Sequence, residues 1–145
     1  MKTNYQDQIH RVNCLTNDLN SLYHQAALKL GLSDSALYVL YMLHDKGDNC
    51  LLYDICKESG ISKQTINSAL RKLENDGILY LEQDKGRAKR VCLTEKGKTY
   101  VLQTGARLFD AECHAFDDWT DEEVDRYLKL MEKYNTSFSV QIEKL

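Results

Sequence analysis

The sequence predicts a mainly α chain with a small β-hairpin wing, an α+β fold in which a winged helix-turn-helix is flanked by long helices. Three observations predict it. Apolar residues recur at three- and four-residue steps through most of the chain, the mark of one-sided helices. The period shortens to two only between Ile78 and Leu93. The 145 residues include no proline, so nothing forces a helix to break.

The first helix is expected from about Tyr5 to Leu30. There Val12, Leu15, Leu19, Leu22, Tyr23, Ala26 and Leu30 form one stripe, and Gly31 supplies the stop. Ser33 caps a second helix, Asp34 to about His44, with Leu32 and Leu37 placed as a hydrophobic staple. Asp45 to Asn49 reads as a turn. Leu51 to Ser59 is a short helix broken by Gly60, and Ser62 caps the next helix, which ends near Asn75–Gly77. Ile78–Gln83 and Lys89–Leu93 are the strands of a hairpin around Asp84-Lys85-Gly86-Arg87. Thr94 caps a long helix running to about Asp117. Thr120-Asp121-Glu122-Glu123 is a capping box for the last helix, with Trp119 and Val124 as its staple. Its stripe is Val124, Tyr127, Leu128, Met131, Tyr134, Phe138 and Ile142.

One intertwined domain with three parts follows: a dimerisation helix in residues 1–32, a winged lobe in 33–94 and dimerisation helices in 95–145. The terminal stripes are longer than a small winged lobe can cover, and a second copy of the chain is the partner they call for.

Composition narrows the function. The chain is 28% charged, and no apolar run approaches the roughly 18–20 residues that span a bilayer, so no membrane partner is expected. Met1–Val12 is polar and unlike a secretory signal, and the cytoplasm is the expected location. Five irregularly spaced cysteines, with no C-x-x-C pair, suit reduced thiols better than a disulfide framework. There is no phosphate-cradling glycine loop, no H-E-x-x-H and no G-x-S-x-G, so neither an enzyme nor a cofactor is expected.

The net charge of −3 conceals its distribution. Ser62–Lys98 carries nine Lys or Arg against five Asp or Glu, whereas both flanks are acidic. This basic centre coincides with the helix after Ser62 and the hairpin. At about 100° per residue, Ile66, Ala69, Leu70 and Leu73 share one side of that helix, and Gln64, Ser68, Arg71 and Asn75 the other. Asn67 and Lys72 flank the polar arc, and Lys63 lies in the first turn. Arg can bond guanine O6 and N7, and Asn or Gln adenine N6 and N7. Ser62 and Thr65 at the helix start suit a phosphate. The hairpin adds Lys85, Arg87, Lys89 and Arg90. An arginine at its tip suits a narrow minor groove, where the negative potential is enhanced. The plainer readings are a solvated helix face and a sheet edge guarded by lysines.

Gly60-Ile61-Ser62-Lys63-Gln64-Thr65-Ile66-Asn67, Leu70-Arg71-Lys72-Leu73-Glu74-Asn75-Asp76-Gly77-Ile78-Leu79 and Arg87-Ala88-Lys89-Arg90-Val91-Cys92-Leu93-Thr94-Glu95-Lys96-Gly97 together resemble the MarR family of transcriptional regulators. The helix order is similar over essentially the whole chain. The resemblance implies a homodimer built by the terminal helices, binding of double-stranded DNA at a pseudo-palindromic operator, repression, and release by a small-molecule effector, an oxidant or a metal. Family wings often carry Asp-x-Arg, the Asp orienting the Arg. Here the triplet is Lys85-Gly86-Arg87, with Asp84 adjacent.

Three further constellations stand outside this pattern. Cys14 lies off the stripe of the first helix; it is either a redox-sensing thiol or a cysteine packed at the dimer interface. Asp110, Cys113, His114 and Asp117 share a helix face that suits metal ligands, though a polar surface produces the same pattern and no metal is expected. Tyr23, Tyr38, Tyr41, Tyr53 and Tyr100 are either core residues or the lining of an effector pocket. Beside the DNA-binding regulator stand two alternatives, a thiol-based redox sensor and a winged-helix protein–protein module that never touches DNA.

Overall fold

A computed structural model describes residues 4–145, so the first three residues of the 1–32 segment lie outside the described residues. Among the described residues, the order is α1 (Gln6–Lys29), α2 (Asp34–Lys46), β1 (Asn49–Leu51), α3 (Leu52–Ser59), α4 (Lys63–Asn75), β2 (Leu79–Gln83), β3 (Lys89–Leu93), α5 (Glu95–Gln103), α6 (Gly105–His114) and α7 (Asp121–Ile142). This is the mainly α chain with a small β wing that the periodicities predict.

The caps form where the sequence places them. Ser33 Oγ accepts from the Ala36 amide at 3.1 Å, and Thr94 Oγ1 from the Gly97 amide at 2.9 Å. Thr120 and Glu123 close a reciprocal capping box, at 3.1 and 3.0 Å. Each such cap satisfies amides that the helix leaves orphaned and contributes about 1 kcal/mol. Trp119, set before that box, meets Phe116 and Tyr127 edge-on, with ring centroids 4.9 and 5.4 Å apart.

Two expectations are corrected. The stretch read as a turn and a helix start contains a third strand. β1 pairs antiparallel with β3, Cys50 opposite Val91, and the sheet order is β1-β3-β2. Gly47 and Asp48 both take positive φ, +84° and +80°, which turns the chain sharply enough to bring Cys50 back into the core. The single helix expected from Thr94 to Asp117 is also two helices, broken at Thr104. The Thr104 hydroxyl, buried, donates to the Tyr100 carbonyl at 2.8 Å, and Gly105 lies against the backbone of α2. That close approach redirects the chain.

Among the described residues, 4–109 form one compact unit and Asp110–Leu145 a second. The core of the first is built by the inward faces of α2, α3 and α4 over one face of the sheet. Val39, Leu40, Leu43, Ile55, Ile66 and Val91 are wholly buried. Each fully buried aliphatic side chain favours folding by roughly 1.5–3 kcal/mol relative to exposure.

The terminal helices differ from this core. On α1, Ile9, Val12, Leu15, Leu19, Leu22 and Tyr23 are all exposed. Along α7 no residue is buried, and its stripe from Tyr127 to Ile142 faces solvent. Among the described residues no single helix is long and apolar enough to cross a membrane.

Candidate nucleic-acid interface

The helix-turn-helix is α3, a glycine turn and α4. Gly60, at φ +65°, ends α3, and Ser62 starts α4 by accepting from the Thr65 amide at 3.3 Å. The Ser62 and Thr65 hydroxyls also meet at 2.9 Å. The first turn of α4 holds no acidic residue, whereas those of α2, α3 and α7 do. The positive end of the α4 dipole is therefore left without an internal counter-charge.

Ile66, Ala69, Leu70 and Leu73 bury the inner face of α4 and fix its rotation about its own axis. Ser62, Lys63, Gln64, Thr65, Ser68, Arg71, Lys72 and Asn75 are consequently exposed, and Asn67 is half-buried. Ser68 donates its hydroxyl back to the Gln64 carbonyl at 3.1 Å, so its oxygen is left as an outward acceptor.

The wing is a tight hairpin. The Asp84 amide donates to the Ala88 carbonyl at 2.9 Å, the Ala88 amide to the Lys85 carbonyl at 3.2 Å, and the Gln83 side-chain amide to the Gly86 carbonyl. Gly86 takes φ +63° at the tip, and Lys85, Arg87 and Lys89 stand exposed around it.

Helix and wing share one groove of about 560 Å³. Lys63, Asn67, Arg71 and Glu74 of α4 line one side of it, and Arg87, Ala88 and Lys89 of the wing the other. Four cations against one carboxylate make the groove electropositive within a chain of net negative charge.

Arg90 is placed differently. Alternate residues of a strand point to opposite faces, and Arg90 leaves β3 on the face away from the groove. There it lies with Asn49, Tyr80, Glu82 and Cys92. Its guanidinium donates to Asn49 Oδ1 at 2.9 Å and to Asp84 Oδ2 at 3.3 Å.

Tyr53 is a groove residue that the sequence groups with core or effector tyrosines. It is 69% exposed and lines the groove, with Lys57 Nζ 6.0 Å from its ring centroid. A signal is present in the sequence: Leu52, Ile55 and Cys56 take the inward positions of α3 and leave Tyr53 outside. The other tyrosines do not join it. Tyr38 and Tyr100 pack against the core, and Tyr41 meets Phe109 at 6.0 Å between centroids.

The remaining candidates are simply located. Cys14 is exposed, its Sγ 3.8 Å from His10 Nε2. His114 and Asp117 are hydrogen-bonded at 3.0 Å, and Cys113 and Asp110 are exposed on the same stretch. Among the described residues no three His, Cys, Asp or Glu side chains gather as a metal site.

This geometry can be set beside known proteins. Residues 30–90, which hold both walls of the groove, match the model of the MarR family. Over those residues the winged lobe is similar to the MarR family. The chain is similar in fold to a MarR family regulator from Neisseria meningitidis, with 21% identity, a TM-score of 0.78 and coverage of 98% of this chain and 99% of that one. It is similar also to a MarR protein from Peptoclostridium difficile, at 24% identity and TM-score 0.66, covering 97% and 93%. A MarR transcriptional regulator from Methanosarcina mazei gives 20% identity and TM-score 0.64, covering 92% of each chain. No curated protein matches the chain in sequence. The likeness to the solved structures is one of fold, and it extends past the winged lobe to the terminal helices.

Proposed function

We propose that this protein is a transcriptional regulator that binds double-stranded DNA as a homodimer. In this reading residues 33–94 read DNA, while residues 1–32 and 95–145 pair two copies. It acts by binding and not by catalysis, in the cytoplasm, as a repressor at a pseudo-palindromic operator, and a small-molecule effector releases it.

The observation that carries the reading is the shared groove. Base-reading side chains of α4, Asn67 and Arg71, and wing cations Arg87 and Lys89 bound one electropositive surface. A helix in the major groove with a wing at the adjacent minor groove uses that arrangement. Lys63 lines the same groove, and Ser62, Thr65, Lys72 and Lys85 are exposed on the same two elements, free to meet phosphates; Gln64 and Ser68 lie on the exposed arc. The exposed stripes of α1 and α7 support the homodimer, because a second copy would remove both from water.

The test is a gel shift of the full-length protein with DNA flanking its own gene, at several salt concentrations. Retardation that weakens steeply with salt is expected. Absence of any DNA binding at low salt would leave the protein–protein module as the better reading.

A second reading rests on Cys14, exposed beside His10. Hydrogen peroxide would oxidise its thiol to a sulfenic acid with release of water. Mass spectrometry after peroxide treatment, with the gel shift repeated on the oxidised protein, tests whether that thiol controls binding.

A further inference from the structure

The wing carries no carboxylate two residues before its tip arginine, yet it is tied down. Lys85 occupies that position and is exposed. What holds the wing instead is Arg90, on the central strand of the sheet, facing Leu51 of β1 and Glu82 of β2. One guanidinium nitrogen reaches Asn49 on β1, and the other reaches Asp84, the first residue beyond β2. A single side chain of β3 thus ties β1 to the root of the wing. Asp84 is spent on Arg90. Among the described residues Lys85, Arg87 and Lys89 make no ion pair.

Arg90 also faces the wrong way for the groove. Its neighbour Lys89 lines the groove with Arg71 and Arg87, whereas Arg90 lies on the opposite face of the sheet. The side chains of Arg90 and Asp84 are both about two-thirds shielded from solvent, at 34% and 32% exposure.

We propose that Arg90 is the positioning residue of the wing: it clamps Asp84 to Asn49, sets the angle at which Arg87 is presented, and binds no phosphate of its own. This rests on the DNA-binding reading above, and it reassigns a cation that sequence alone counts among the DNA-binding residues.

The experiment has one arm without DNA and one with it. In the first, amide hydrogen exchange is compared between wild type and Arg90→Ala. Faster exchange at Asp84 and Ala88, with the α4 amides unchanged, is expected; unchanged protection in the wing overturns the clamp whether or not the protein binds DNA. In the second, wild type, Arg90→Ala, Lys89→Ala, Arg87→Ala and the Arg87/Arg90 double variant are titrated on a selected operator at several salt concentrations. Lys89→Ala should flatten the slope of log K against log salt by about 0.9 for each phosphate it no longer neutralises. Arg90→Ala should lower affinity roughly tenfold per half-site, the effect of disabling one groove side chain, with the slope unchanged. Adding it to Arg87→Ala should cost nothing more, since Arg90 acts only through Arg87. A slope flattened by Arg90→Ala, or losses that simply add, overturns the proposal. Should Arg90→Ala fold poorly, Asp84→Asn serves: the clamp predicts weaker binding, whereas a phosphate-binding Arg90 set free would bind more tightly. Failure of wild type to bind DNA overturns the functional reading and is seen separately from the exchange result.

Discussion

Gly105 rests on the peptide of Leu40: a Cβ placed on it would lie 2.6 Å from both the carbonyl carbon and the oxygen of Leu40. Backbone cannot yield there without moving α2, and α2 carries Leu40 and Leu43 at the centre of the core. Gly105→Ala should therefore cost about 1–3 kcal/mol, in the range of overpacked core sites. A chemical-denaturation midpoint clearly below wild type is the expected result. Equal midpoints would mean that the α5–α6 break absorbs a methyl group, and that Gly105 is not what redirects the chain.

Arg87 separates shape reading from charge binding. It stands beside Gly86 at the wing tip and lines the groove with Arg71. Arg87→Ala should penalise operators with narrow, A·T-rich flanks more than G·C-rich flanks. Titration of both flank types at several salt concentrations checks this. An equal loss on both would make Arg87 only another phosphate clamp.

The thiols should divide by burial. Burial, reinforced by Asp54, pushes the Cys50 thiol up to about 11, and burial with the Glu82 carboxylate raises Cys92 as well. Alkylation of the native protein near pH 8 should label Cys14 and Cys113, which are exposed, and spare Cys50 and Cys92. The sign of the linkage follows. A folded-state value above the unfolded one means the native state holds the Cys50 proton more tightly. That contribution is fully present below about pH 9 and is lost as pH rises toward 11. A melting temperature that stays level from pH 9 to 11, or rapid native labelling of Cys50, contradicts this.

The terminal helices predict assembly. Substituting Leu15 and Leu19 of α1 together with Asp, or Met131 and Phe138 of α7, should shift light scattering from dimer to monomer at micromolar concentration. The winged lobe should stay folded, since none of these side chains is buried within the chain. A wild type that is already a stable monomer, with full helix content, excludes the homodimer.

What is legible in the sequence is local. Ser33, Thr94 and Thr120 announce their caps within four residues, and the period of α4 alone separates Ile66 and Leu70 from Arg71. What stays hidden depends on residues far apart. β1 is three residues long, and only pairing of Cys50 with Val91 defines it. The break at Thr104 depends on Gly105 meeting Leu40, more than sixty positions earlier. Arg90 reads as one of four wing cations until Asn49, 41 residues away, is seen to hold it. The face of a strand residue follows from its alternation, but which face carries the groove follows only from where α4 packs.

The functional reading stands on α4 as the base-reading helix, with Arg71, exposed at the groove, as a reader. The direct measurement is selection from a random pool of duplex DNA by the full-length protein and by Arg71→Ala. Wild type should enrich a two-fold symmetric sequence. Arg71→Ala should lose preference at one position in each half and about 1–3 kcal/mol of affinity per half-site. Enrichment of the same sequence with the same affinity by both proteins, or no enrichment by wild type, would contradict it.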